Sequence, residues 1–200
     1  MRYAIVGFGT VGQALARMFA RKGIPVLIAN SRDLETLREL TAELGRSVTA
    51  VTVDEAVEAD VILVAVGALA FKNVGALLRD WSGKIVIDVT NGFMLPPAMQ
   101  QAEYNGRLTS EVNAERVPGA KLVKAFNQLP FKVLASPLPD TVGRRVVFVS
   151  SDHEDASATV AALAESLGFA AIEVGKIAEG GRLIQARAAL VFQNLIKYPL

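Results

Sequence analysis

The sequence predicts an α/β fold: a doubly wound, mainly parallel sheet with a small C-terminal extension. Three observations carry that expectation. Short β-branched runs that are apolar on both faces recur through the first half. Stretches of helical periodicity separate them and supply the right-handed crossovers that parallel strands require. A glycine-rich turn, Gly7-Phe8-Gly9-Thr10-Val11-Gly12, follows the first run directly and opens the first helical stretch.

Taken in order, Tyr3–Val6 reads as a strand and Val11–Arg21 as a helix with Val11, Leu15, Met18 and Phe19 on one face. Gly23 ends that helix, and Pro25 precedes a second strand at Val26–Ala29. Asp33 can cap a charged helix over Leu34–Leu44, which Gly45 stops. Val48–Val53 is a third strand, Asp54–Glu58 a short helix, and Val61–Val66 a fully buried fourth strand. Ala70–Arg79 reads as helical and Ile85–Val89 as a fifth strand. From Thr90 to Pro118 the pattern is less regular, with Asn91-Gly92, Pro96-Pro97 and Asn105-Gly106 as turn signals. Leu122–Phe126 is a further strand, Gln128–Pro139 is turn-rich or a short helix, and Val146–Val149 is a strand. Glu154–Leu167 reads as a helix closed by Gly168, Ala171–Val174 as the last strand, and Glu179–Lys197 as a terminal helix.

Composition narrows the function classes. At 200 residues, 52% hydrophobic and 20% charged, the chain can bury a sizeable core. Lys plus Arg is 21 against 20 for Asp plus Glu, so there is no electrostatic footprint for nucleic acid or an anionic membrane. With no cysteine, disulfides, zinc–thiolate sites and cysteine nucleophiles are excluded. A single histidine, His153, excludes a multi-histidine metal site and argues against a Ser-His-Asp triad. The longest uncharged apolar run, Val61–Phe71, falls short of the roughly 20 residues that cross a bilayer. The N-terminus does not read as a signal peptide, and the expected location is cytoplasmic.

Gly7–Gly12 matches G-x-G-x-x-G in the context that gives the pattern meaning, after a strand and opening a helix. Gly7 permits the tight turn, Gly9 lets backbone approach a pyrophosphate, and Gly12 lets the helix pack closely on the sheet. The helix N-terminus then offers unpaired N–H groups to phosphates. An NAD site places Asp or Glu at the end of the second strand. Here that end reads Asn30-Ser31-Arg32, with Asn30 lying 23 residues past Gly7. No carboxylate repels a 2′-phosphate, Ser31 can donate to it, and Arg32 can pair with it through parallel N–H bonds. The alternative is a solvated Arg32 neutralised by Asp33. The expectation is NADP(H) on a Rossmann sheet, in a single domain over residues 1–200. Residues 1–120 form its core dinucleotide-binding half, and residues 121–200 a sheet extension and terminal helix.

Beyond the glycine motif the chain resembles the coenzyme F-420-dependent NADP oxidoreductases, and is similar to the reductase domain of six-transmembrane metalloreductases. The matching pieces are Gly7–Gly12, Asn30-Ser31-Arg32, Asp88-Val89-Thr90-Asn91, Lys124-Ala125-Phe126-Asn127 and Ala178-Glu179-Gly180-Gly181-Arg182-Leu183. The resemblance implies an NADP-binding oxidoreductase whose nicotinamide faces a flavin-like or deazaflavin acceptor, coenzyme F-420 or FMN/FAD. It further implies that Val66, Gly67, Asn91 and Gly92 run along the ribose and nicotinamide. By the same resemblance, Ala125, Phe126 and Asn127 border the hydride-transfer pocket, with Gly180–Leu183 near its rim.

Hydride transfer depends on proximity and orientation and needs neither nucleophile nor metal, which suits this residue set. No catalytic side chain is assigned. Asp88 is either a catalytic carboxylate or the holder of the following turn, and Asn127 either contacts substrate or satisfies strand-end backbone. His153 and Lys197 read as solvated helix-end residues, and Trp81 as a packing residue. Leu183, Ala186, Leu190 and Ile196, broadened by Val191, Phe192 and Leu195, make a helical stripe that leaves a homodimer and an ordinary buried helix both open. Two other functions stay open: an NADPH-dependent reductase of a small metabolite, and a non-catalytic NADP(H) sensor.

Overall fold

A computed structural model describes residues 1–198. The first six strands, β1 (Tyr3–Val6), β2 (Val26–Ala29), β3 (Val48–Ala50), β4 (Val61–Val64), β5 (Ile85–Asp88) and β6 (Lys121–Ala125), are all parallel. They run in the order β3-β2-β1-β4-β5-β6. The chain reverses direction across the sheet between β1 and β4, and ligands of such sheets bind at that switch point. The sheet continues with β7 (Arg144–Ser151), antiparallel to β6, and β8 (Ala170–Glu173), parallel to β7. β9 (Ile196–Lys197) pairs antiparallel with the start of β7.

Helices cover both faces: α1 (Thr10–Lys22), α2 (Leu34–Thr41), α3 (Val53–Val57), α4 (Phe71–Gly75), α5 (Pro97–Tyr104), α6 (Thr109–Glu115), α7 (Phe131–Ala135), α8 (Glu154–Ser166) and α9 (Arg182–Ile184). The two cores follow from the period-two alternation of strand side chains. Ile5, Val61, Leu63 and Ile87 face one layer, where Leu15, Met18 and Phe19 of α1 meet Leu37 of α2 and Val160 and Leu163 of α8. Ala4, Val6, Ile62, Val64 and Val86 face the other, against Ala56 and Val57 of α3, Phe71 and Val74 of α4, and Trp81. Trp81 is a packing residue as expected, buried with its indole N–H donating to Gly75 O at 3.1 Å.

Three expectations from the sequence are corrected, the simplest being Ala70–Arg79, whose helix is only Phe71–Gly75 after a 3₁₀ turn at Ala68–Ala70. The stretch from Thr90 to Pro118 holds two helices, α5 and α6. α5 starts on Pro97 and buries only Tyr104, so it lacks an apolar stripe. α6 buries Ser110 and Asn113, a polar face, because it packs against the Asp88 carboxylate.

The third correction is that Glu179–Lys197 is no terminal helix. A π-turn at Ile177–Gly181 passes into the short α9, Gln185 is extended, and the chain continues through turns into β9. Hydrogen bonds to the sheet outweigh the apolar periodicity there. Ile184 O accepts from Asn127 Nδ2 at 2.6 Å, Phe192 N donates to Gln128 O at 2.7 Å, and Leu195 O accepts from Val146 N at 2.9 Å. Positive φ at Arg187 (66°) and Phe192 (64°) breaks any helix outright. Lys197 therefore lies on a strand rather than at a helix end, and the proposed stripe is divided. Val191 is buried while Leu183, Phe192 and Leu195 are exposed.

Asp88, at the end of β5, holds the turn that follows it. One carboxylate oxygen accepts from Thr90 N at 2.9 Å and Thr90 Oγ1 at 2.6 Å. The other accepts from Ser110 Oγ at 3.1 Å and Asn113 Nδ2 at 3.2 Å, and lies 3.0 Å from Lys124 Nζ. Both members of the pair are interior, Asp88 at 0% and Lys124 at 1% exposure. Lys124 Nζ also donates to Thr90 O, so β5, β6, α6 and the Thr90 turn share one network. Burial alone would raise the Asp88 carboxyl. Attraction to Lys124 and hydrogen bonds from Thr90, Lys124 and Asn113 outweigh it and hold the group below its usual 3.8.

A carboxyl whose folded pKa is depressed contributes stability above its unfolded pKa and loses it as pH falls through the folded value. Denaturant unfolding should therefore show no Asp88 contribution to pH dependence near neutrality and a loss of stability below about pH 4. Lys124→Met should lower stability at pH 7 by about 3–5 kcal/mol, because it leaves a buried carboxylate without its countercharge.

Candidate functional site

A cleft of about 510 Å³ opens at the carboxyl edge of the sheet, beside the switch point between β1 and β4. The β1–α1 turn forms its floor with Gly7, Phe8 and Gly9, the end of β2 contributes Asn30, Ser31 and Arg32, and the end of β4 contributes Ala65, Val66 and Gly67. Val53 of α3, Ala70, Asn73 and Val74 beside or on α4, and Leu77 complete the wall.

The glycine spacing is enforced by backbone. At Gly7, with φ of 108°, a Cβ would lie 2.4 Å from Ala65 O, and at Gly12 one would lie 2.0 Å from Gly7 O. A Cβ at Gly9 meets nothing within 4 Å, so that position borders open space. Gly9 is also the N-cap of α1, without a side-chain cap and without an acidic residue in the first turn. The N–H groups of Thr10, Val11 and Gly12, in the first turn, are consequently left for an anion. Together these features fit a dinucleotide pyrophosphate.

At the second-strand end, Asn30 Oδ1 accepts from Arg32 N at 2.9 Å and folds the loop. Arg32 is exposed on the cleft wall and makes no ion pair among the described residues. Asp33 turns away from it. Its carboxylate accepts from Thr36 N at 2.9 Å and Thr36 Oγ1 at 2.7 Å, capping α2, and those bonds hold its carboxyl below the ordinary range. The donor set at this rim is cationic and hydroxylic with no opposing acid, which fits a phosphate monoester.

The remaining candidate residues assemble next to the cleft rather than on its walls. Asn91 Oδ1 accepts from Phe93 N at 2.9 Å, and its Nδ2 donates to Asn127 O at 3.0 Å, joining the β5 and β6 ends. Gly92 lines a second cavity of about 360 Å³ with Gln100, Tyr104 and Gln185. Tyr104 OH donates to Ala68 O at 3.2 Å, which ties that cavity to the Gly67 loop. Ala125 and Phe126 are fully buried, and the Phe126 ring packs edge-on against Phe169 at 6.1 Å. Phe126 also takes φ of 59°, at a cost of roughly 1–2 kcal/mol for a residue with a Cβ. Asn127 is buried, with Nδ2 bound to Ile184 O and Oδ1 without a hydrogen-bond partner.

Val53, Ala65, Ala70, Asn73, Val74 and Leu77 lie on the cleft wall although no motif marks them. Their signal is positional, since residues just past β3 and β4 fall on the carboxyl edge in any parallel sheet. His153 stands apart as the exposed N-cap of α8. Among the described residues no group of three or more His, Asp or Glu could hold a metal ion, and no helix is long and apolar enough to cross a membrane. Gly12→Ala should destabilise the fold by roughly 1–3 kcal/mol through overpacking. Gly9→Ala should stay within about 0.5 kcal/mol of the parent in the same chemical denaturation.

Residues 2–92 match the model of a family described as NADP oxidoreductase, coenzyme F-420-dependent. A hypothetical protein from Sinorhizobium meliloti is 43% identical, with a TM-score of 0.92, over 98% of this chain and 96% of that one. A proposed F-420-dependent NADP reductase from Arthrobacter sp. FB24 is 25% identical, with a TM-score of 0.70, over 89% of this chain and 86% of its own. Metalloreductase STEAP3 of Rattus norvegicus is 28% identical over 179 residues, 88% of this chain but 34% of the relative. The chain spans less than half the length of the curated relatives it matches. The chain belongs to one family with the Sinorhizobium protein, and its Rossmann fold is related to that of the coenzyme F-420-dependent NADP oxidoreductases.

Proposed function

We propose that the cleft binds NADP(H) and that the protein passes hydride between NADPH and a flavin-like or deazaflavin acceptor, with coenzyme F-420, FMN and FAD as candidates. Arg32 carries the coenzyme half of this reading: it stands on the cleft wall, outside any ion pair among the described residues, where an NAD site would present a carboxylate. Gly7, Phe8 and Gly9, with the N–H groups of Thr10, Val11 and Gly12, would hold the pyrophosphate. Asn30, Ser31 and Arg32 would hold the 2′-phosphate, and Val66 and Gly67 the ribose.

At the far end, Asn91, Gly92 and Asn127 would border the nicotinamide, while Ala125 and Phe126, expected there from the sequence, pack into the core behind them. The coenzyme supplies the hydride chemistry, and the chain supplies orientation and exclusion of water. Asn91 acts by joining the β5 and β6 ends through its bond to Asn127 O. Residues 1–200 would then act as one NADP-binding domain.

Arg32→Ala should weaken NADPH at least about ten-fold, the worth of a charge-assisted contact of roughly 1.5–3 kcal/mol, and leave NADH nearly unchanged. Equal losses for both coenzymes in a fluorescence titration would remove the 2′-phosphate assignment. Anaerobic NADPH oxidation, run separately with F-420, FMN, FAD and no acceptor, should show acceptor-dependent turnover. Confirmed binding without turnover on any of them would overturn the hydride-transfer reading.

A further inference from the structure

A third cavity, also of about 360 Å³, lies between the C-terminal ends of α1 and α8 and the start of β7. It shares no lining residue with the dinucleotide cleft. α1 connects the two, opening at Gly9 on the cleft and ending at Arg21 and Lys22 on this cavity. Its 13 residues separate the sites by roughly 20 Å.

Four cationic side chains line the cavity, Arg21, Lys22, Arg144 and Arg145, against the carboxylate of Glu165. None of the five takes part in an ion pair among the described residues. Three of the cations, Arg21, Lys22 and Arg144, are exposed. Arg145 is different: it is 7% exposed, and burial lowers the pKa of its guanidinium with no carboxylate opposing the effect among the described residues.

The two cations buried among the described residues make an instructive contrast. Lys124 has Asp88 at 3.0 Å. Among the described residues Arg145 has only neutral acceptors, with Nε donating to Asn194 Oδ1 at 2.8 Å and Nη1 to Ser136 O at 2.6 Å. Its Nη2 makes no protein hydrogen bond among the described residues and is not one of the fully enclosed polar atoms, so it remains reachable from the cavity that Arg145 lines. A guanidinium stays charged at every physiological pH, and burying it without a countercharge is costly.

We infer that this cavity is an anion site, and that a small phosphoryl dianion supplies the countercharge that Arg145 lacks among the described residues. The cations approach from two elements, Arg21 and Lys22 from the end of α1 and Arg144 and Arg145 from β7. That arrangement addresses several oxygens of a tetrahedral group at once, where a carboxylate offers two. The volume admits a small phosphorylated metabolite as well as free phosphate.

The test is calorimetric titration of the 200-residue chain with inorganic phosphate and, in parallel, with acetate, at an ionic strength held constant with potassium chloride. Phosphate should bind saturably and at least ten-fold more tightly than acetate. The double variant Lys22→Gln/Arg144→Gln removes two exposed charges and spares the buried Arg145. It should weaken phosphate at least ten-fold with an unchanged thermal midpoint. Arg32→Ala, in the other cleft, should leave a phosphate isotherm of unchanged affinity, which keeps this inference separate from the coenzyme reading. Undiminished binding in the double variant, loss confined to Arg32→Ala, or no saturable binding would each overturn it.

Discussion

At Gly7 three backbone segments meet with no side chain between them. The Gly7 carbonyl sits where a Cβ on Gly12 would be, and the Ala65 carbonyl sits where a Cβ on Gly7 would be. This contact seats the start of α1 on the β1–β4 switch point and draws the end of β4 against the turn. The open side of Gly9, the bare N-terminus of α1 and the loop at Arg32 are all placed by it. The chemistry available at the cleft is therefore mostly backbone chemistry, N–H groups and a helix dipole, with Arg32 as the charged side chain on its wall.

The Asp88–Lys124 pair does for the other half of the edge what glycine does for the first. A buried ion pair is weak evidence for stability, because desolvation offsets much of the attraction, but removing one partner is severe. Here the pair connects β5, β6 and α6 and fixes Thr90, from which Asn91 reaches Asn127 O. The Lys-Ala-Phe-Asn segment gains a physical meaning from this: Lys124 anchors the turn, Ala125 and Phe126 enter the core, and Asn127 receives the C-terminal segment at Ile184.

Much of this was legible in the chain because local and global signals agree. β1, α1, β2 and β4 combine apolar periodicity with glycine punctuation, and each appears within a few residues of its expected bounds. The glycine turn and Asn30-Ser31-Arg32 both fall on the cleft because strand ends dictate its position. What was not legible depends on distant partners. α6 turns a polar face inward because Asp88 waits there, and that face carries no apolar stripe to read. The last segment has the apolar spacing of a helix, yet Asn127, Gln128 and Val146 capture its backbone at Ile184, Phe192 and Leu195, and Arg187 and Phe192 take left-handed conformations. Ala70–Arg79 likewise shortens, its first part becoming a 3₁₀ turn at Ala68–Ala70 beneath Tyr104.

In the proposed function a dinucleotide lies along the carboxyl edge from Gly7 to the β5 and β6 ends. Backbone amide chemical-shift mapping on adding NADP⁺ tests it most directly. Shifts should concentrate at residues 7–12, 30–32 and 65–67 and extend to 91–92 and 125–127, with the amides of 144–145 undisturbed. Saturable binding that leaves residues 7–12 and 30–32 unmoved would contradict it.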